Sequence, residues 1–202
     1  MRLKRRTLFM TLAGLTALDA IPALAQALSR VRGSIESVGP DSLKVRTRAG
    51  DTVTLKLAED LKITEIAPID VSAIKPGAFI GTAAVTQPDG TLKAREVQVF
   101  PESMRGLGEG HRPWDLGANS TMTNGTVGDL KVSNGRHLTL TYKGGEQKVF
   151  VPPGVPVITY EPGSRALLKP GAHVIIFANH AADNSLTATR IGVGKDGLVP
   201  PM

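Results

Sequence analysis

The chain carries one pattern twice, and this repeat limits the folds open to it. Residues 31–100 and 123–194 match in order. Val31-Arg32-Gly33-Ser34-Ile35 corresponds to Thr123-Asn124-Gly125-Thr126-Val127, and Leu43 and Val45 correspond to Leu138 and Leu140. Ala49-Gly50-Asp51 corresponds to Gly144-Gly145-Glu146, and Lys75-Pro76-Gly77-Ala78 returns unchanged as Lys169-Pro170-Gly171-Ala172. At the end of each unit, Leu92, Ala94, Val97 and Val99 return as Leu186, Ala188, Ile191 and Val193. Ordered matches of this kind argue for duplication over chance similarity between β-rich segments.

Each unit reads as short strands. Leu43, Val45 and Thr47 alternate with Lys44, Arg46 and Arg48, and Val53, Leu55 and Leu57 alternate with Thr52, Thr54 and Lys56. A period of two puts apolar side chains on one face of a sheet and polar ones on the other. Turn residues separate the strands at Ala49-Gly50-Asp51, Pro88-Asp89-Gly90, Ser133-Asn134-Gly135 and Lys143-Gly144-Gly145. The alternation changes phase between Ala94 and Val97, and again between Ala188 and Ile191, which predicts a β-bulge in the last strand of each unit. A less regular stretch, residues 63–74 and 157–168, precedes the fourth strand. The pattern predicts an all-β fold of two tandem five-stranded OB-like barrels, with SH3-like barrels as the alternative. Their limits fall at residues 26–100 and 123–202, with a linker loop over 101–122. Each barrel should superpose on the other with Gly33 on Gly125 and Pro76 on Pro170. A unit of about 70 residues holds only a small core, so docking of the barrels would add stability.

Residues 1–25 read as an export signal. Arg2, Lys4, Arg5 and Arg6 precede an apolar run that ends at Ala23-Leu24-Ala25, a small-residue cleavage box that leaves Gln26 first. Lys4-Arg5-Arg6-Thr7-Leu8-Phe9 and the moderate hydrophobicity that follows suit a twin-arginine route, and a general secretory route is the alternative. Either leads to a periplasmic protein. Loss of this segment removes four cations and Asp19, so the formal charge falls from +6 to +3. That balance gives no reason to expect nucleic acid as a partner. The most apolar later stretch, residues 172–182, is about half the roughly 20 residues a membrane span requires.

The glycine-containing first strand, the Lys-Pro-Gly-Ala turn and the Ala-x-x-Val finish resemble a bacterial domain-of-unknown-function family of small exported OB-like barrels. Pro101-Glu102-Ser103-Met104-Arg105-Gly106, Gly108-Glu109-Gly110-His111-Arg112-Pro113-Trp114-Asp115 and Met122-Thr123-Asn124-Gly125-Thr126-Val127 are similar to a proteobacterial tandem subset often labelled metal transporter permease. A permease needs membrane spans that this chain does not offer, so transport is not carried over. Metal stays as a hint.

Motifs for chemistry are few. With no cysteine, the chain has no disulfide, thiol nucleophile or cysteine zinc site. It holds no Gly-x-Ser-x-Gly elbow and no His-Glu-x-x-His pair. Gly106-Leu107-Gly108-Glu109-Gly110 opens no amphipathic helix, and Glu109 would repel phosphate, so it reads as linker. Lys44, Arg46, Arg48 and Lys56 form a basic stripe without the aromatics that stack on bases or sugars. The reading is therefore a non-catalytic module without cofactor or metal, binding an unknown periplasmic protein or small ligand. His111, Arg112, Trp114 and Asp115 are the candidate binding residues, with Trp114 packed between the barrels and Arg112 and Asp115 at its rim. The alternative is a metal-binding accessory protein in which His111 joins Met104 and Met122.

Overall fold

Period-two patterning produces strands throughout the computed structural model, which describes residues 28–201 except 134 and 182. In chain order they are β1 (Leu28–Val38), β2 (Ser42–Thr47), β3 (Thr52–Pro68), β4 (Phe79–Thr86), β5 (Leu92–Val99) and β6 (Gly110–Pro113). They continue as β7 (Ser120–Val132), β8 (Arg136–Tyr142), β9 (Gly145–Val151), β10 (Val157–Pro162), β11 (His173–His180) and β12 (Leu186–Gly194). Helical structure among the described residues is confined to single 3-10 turns. No helix among them is long and apolar enough to cross a membrane. The segment read as an export signal and Asn134 of the predicted hairpin lie outside the described residues.

The protein is all-β and contains a closed five-stranded barrel. Around that barrel β1 pairs with β2, β2 with β3, β3 with β12, β12 with β11, and β11 with β1. Its core is Val31, Ile35, Leu43, Val45, Leu55, Val174, Ile176 and Ile191 with their neighbours. Five of the remaining strands make a second circuit, β4–β5–β9–β8–β7, in which a short parallel contact of Leu92 with Val149 and Lys93 with Phe150 joins the ends. Ile80, Leu92, Val97, Val127, Leu138 and Leu140 fill it.

Each circuit thus draws strands from both repeats. This corrects the expected division at residues 26–100 and 123–202, where each half was to close on itself. The reason lies in β3, which runs 17 residues without turning back. Its end stays paired with β12 on one edge, Ile66 opposing Gly194, and on the other edge pairs antiparallel with β10: Ile158 opposes Pro68, Tyr160 opposes Ile66, and Pro162 opposes Thr64. At the spacing that relates Lys75 to Lys169, Ile66 corresponds to Tyr160 and Pro68 to Pro162. Equivalent residues therefore face each other, as a local two-fold axis between the repeats requires.

The duplicated turns secure this exchange. In Lys75-Pro76-Gly77-Ala78 and Lys169-Pro170-Gly171-Ala172, Ala78 N–H and Ala172 N–H each donate to the lysine carbonyl at 3.0 Å. Gly77 and Gly171 have φ of +82° and +87°, the left-handed position of a type II turn. Gly77 N–H then donates to Val127 O at 2.7 Å, and Gly171 N–H to Ile35 O at 2.8 Å. Each turn is thereby bonded to the first strand of the other repeat.

Both predicted bulges are present. Glu96 opposes Ala83 while Ala94 opposes Ala84, which leaves Arg95 extra. Arg190 opposes Phe177 while Ala188 opposes Ala178, which leaves Thr189 extra. The bulges keep Ala94, Val97, Ala188 and Ile191 in the two cores and turn Glu96 and Arg190 outward. The stretch read as a linker loop is partly ordered as a hairpin: Arg112 opposes Met122 and His111 opposes Thr123.

Gly33 and Gly125 permit close backbone approach. A Cβ on Gly33 would lie 1.9 Å from Arg46 O, and one on Gly125 would lie 2.6 Å from Thr141 O. Gly33→Ala should therefore destabilise by about 3 kcal/mol or more. Gly90→Ala, with φ +81° and open space around it, should cost only about 1 kcal/mol. Urea unfolding of the two variants checks this, and equal losses would contradict it.

Candidate ligand cleft between the circuits

The outward faces of the circuits meet over Ile66, Ala83, Met122, Ile158 and Ile175, against which Trp114, Tyr160 and Phe177 pack. Beside this contact opens a cleft of about 1090 Å³. Strand β3 contributes Leu61 to Thr64, β11 contributes Ile175 and Phe177, and β12 contributes Arg190 to Gly192. Across from them stand Gln98, Phe100, Arg112, Trp114, Met122 and Asn124, with residues 103–108 along one side.

Aromatic rings form much of the wall. Phe100 stacks on Tyr160 with centroids 5.5 Å apart and interplanar angle 18°, and Phe79 packs 5.5 Å from Phe100 on its other side. The Arg190 guanidinium lies 4.5 Å above the Phe177 ring. Tyr160 Oη donates to Gln98 Oε1 at 2.6 Å, and Asn124 Nδ2 donates to Leu107 O at 2.9 Å.

Trp114 belongs to this junction. Its backbone N–H donates to Ser120 O at 2.8 Å. The Arg30 guanidinium lies 3.8 Å over its ring and that of Arg112 lies 5.6 Å away. Asp115 accepts from Arg32 at 2.8 and 3.0 Å and from Arg30 at 3.5 Å. Partial burial pushes the Asp115 carboxyl up, but the Arg32 hydrogen bond and the charges of Arg32 and Arg30 outweigh it and hold the group low. The segment after β6 is therefore clasped onto β1 of the first barrel.

Of the residues singled out in the sequence, Arg112 and Trp114 line the cleft, and Asp115 anchors Trp114 from outside it. His111 does not join them. Its Nδ1 lies 2.8 Å from Thr123 Oγ1 and its ring stacks on Tyr142 at 6.4 Å. Burial, then the charge of Arg112, pulls the imidazole below its ordinary range. Because Arg112, not His111, opposes Met122, the alternating strand faces direct His111 and Met122 to opposite sides. The proposed His/Met set is not assembled. Among the described residues, no group of three or more histidines and carboxylates is placed to hold a metal ion.

Sequence reasoning missed Phe100, Tyr160, Phe177, Lys62 and Arg190. Their signal was phase: Phe177 lies between the inward residues Ile176 and Ala178, so a large ring falls on the face assigned to water. Glu96, equivalent to Arg190 in the repeat, was missed too. It is 1% exposed. Burial pushes its carboxyl up to about 8, opposed by hydrogen bonding with Gln98 and by the charges of Arg32 and Arg48. Tyr160 is pushed up by burial and then by the Glu96 charge.

Residues 154–192 match the family described as Domain of unknown function (DUF5666). No curated protein and no solved structure matches the chain. The matched segment carries Tyr160, Phe177 and Arg190 of the cleft wall.

The raised Glu96 pKa has a signed consequence. As pH rises from the ordinary carboxyl value of 4.5 toward about 8, the unfolded chain ionises Glu96 while the folded chain keeps it protonated. The folded state then holds the extra proton, so stability falls across that window by up to about 1.4 kcal/mol per pH unit. Glu96→Gln should lower this slope and be the more stable protein at pH 8. Urea unfolding of both at pH 5, 6.5 and 8 reads the difference, and parallel pH profiles would contradict it.

Proposed function

We propose that the protein is an exported, non-catalytic binding module whose two OB-like barrels hold a small ligand in the cleft between them. The observation that carries this reading is the cleft itself. Its volume of about 1090 Å³ lies just above the roughly 300–1,000 Å³ of small-molecule sites, which combine apolar walls with a few convergent polar groups. The described lining contains neither histidine nor carboxylate, the groups most often used for acid–base catalysis, and this supports binding over turnover. Walls taken from both repeats and a clasped Trp114 give a site formed before the ligand arrives, which lowers the entropic cost of binding. Export rests on residues 1–25 and the charge pattern there.

Trp114 is the only tryptophan and therefore a direct reporter. The uncharged probe N-phenyl-1-naphthylamine should bind with one equivalent per chain, gain emission and quench Trp114 by energy transfer. Absence of probe binding, or binding that leaves Trp114 emission unchanged, would overturn the proposal.

A further inference from the structure

We infer that the ligand is a small organic anion with a hydrocarbon body, its charged head held by Arg112, Arg190 and Lys62. The inference rests on the cleft being the binding site and adds the chemistry of what enters it. Four cationic side chains line the cleft: Lys62, Arg105, Arg112 and Arg190. Arg105 is committed to Glu102, with Nη2 donating to Oε2 at 2.8 Å. Among the described residues, the other three have no carboxylate partner: Arg112 donates to Gly108 O at 2.7 Å, Arg190 lies over Phe177, and Lys62 is exposed at the rim.

Half-buried guanidinium groups without a counter-charge are costly in an apolar setting, and an anion entering the cleft relieves that cost. Burial, then the charge of Arg30 outside the cleft, pulls the Arg112 pKa down. A cation or neutral amphiphile gains nothing comparable.

The body of the ligand follows from the polar groups beside the rings. Tyr160 is bonded to Gln98 and the Asn124 amide to Leu107 O. Those bonds occupy Tyr160 Oη and Asn124 Nδ2, and only Trp114 Nε1 and Asn124 Oδ1 of the described wall are left buried without a partner. A sugar or nucleobase would therefore bury most of its hydroxyls and ring nitrogens against Phe100, Phe177 and Ile175 unsatisfied, at a cost. Hydrocarbon meets no such cost, and Met104 and Met122 are side chains that adapt to its shape.

The test compares probes that share a body and differ in charge. 8-Anilino-1-naphthalenesulfonate carries the N-phenyl-1-naphthylamine body plus a sulfonate. It should bind about tenfold or more tightly than the neutral probe, and dodecanoate should displace either probe by the same margin over dodecanol. The preference should weaken as salt rises and fall below threefold in Arg112→Gln/Arg190→Gln. Lys62→Gln, exposed and structurally undemanding, should lower it partway and serves if the double variant does not fold. Equal binding of anionic and neutral partners would overturn the inference while leaving the cleft as a site. Failure of every probe would instead remove the binding reading beneath it.

Discussion

The antiparallel crossing of β3 and β10 is the contact on which the rest of the molecule depends. Strand β3 serves the first barrel over most of its length and the crossing at its end, and β10 returns the chain from the second circuit along the same line. Because Ile66 faces its own repeat equivalent Tyr160, every constraint imposed on one half at this point is imposed on the other. Neither circuit can be completed by a single repeat. The circuits are therefore fixed relative to one another by strands that pass between them, with side-chain docking added. Closing both circuits demands pairings between residues far apart in the chain, β1 with β11 among them, and such topologies fold slowly.

The crossing also decides what fills the junction. The bulges at Arg95 and Thr189 turn equivalent positions outward, and the duplicated sequence has placed an acid at one and a base at the other. Glu96 is buried, with Gln98 and the charges of Arg32 and Arg48 acting on its carboxyl. Arg190 opens into the cleft on the ring of Phe177. Asp115 and Lys195 add asymmetric ties: Asp115 clasps Arg32 on β1, and Lys195 bridges Glu161 at 2.8 Å and Glu65 at 3.4 Å, two carboxylates opposed in register.

Local features were legible in the sequence because each has a local cause. The Lys-Pro-Gly-Ala turns, the bulges and the glycines of the first strands follow from φ preferences, alternation and close approach, all of which act within a few residues. Trp114 was legible as an anchor because it is the one large ring in a loop otherwise rich in glycine. The exchange of strands was not. A strand presents the same hydrogen-bonding edge and the same apolar face to its own repeat's partner and to the equivalent partner in the other repeat, so the alternation in β1 is satisfied by β4 or by β11. What separates the two arrangements is whether the stretch after Leu57 turns back or continues, and residues 58–68 carry no glycine to turn it. The cleft residues were hidden by the same ambiguity. Phe177, Arg190 and Phe100 come together only once the circuits are shared.

The most direct measurement exploits the absence of native cysteine. Leu28 opposes Asn179 in the exchanged register, whereas barrels closed within each repeat would set Leu28 against Val85, the repeat equivalent of Asn179. Leu28→Cys with Asn179→Cys should form an intramolecular disulfide on mild oxidation of the folded protein, and Leu28→Cys with Val85→Cys should stay reduced. A disulfide between positions 28 and 85, with none between 28 and 179, would contradict the strand exchange and the shared cleft built on it.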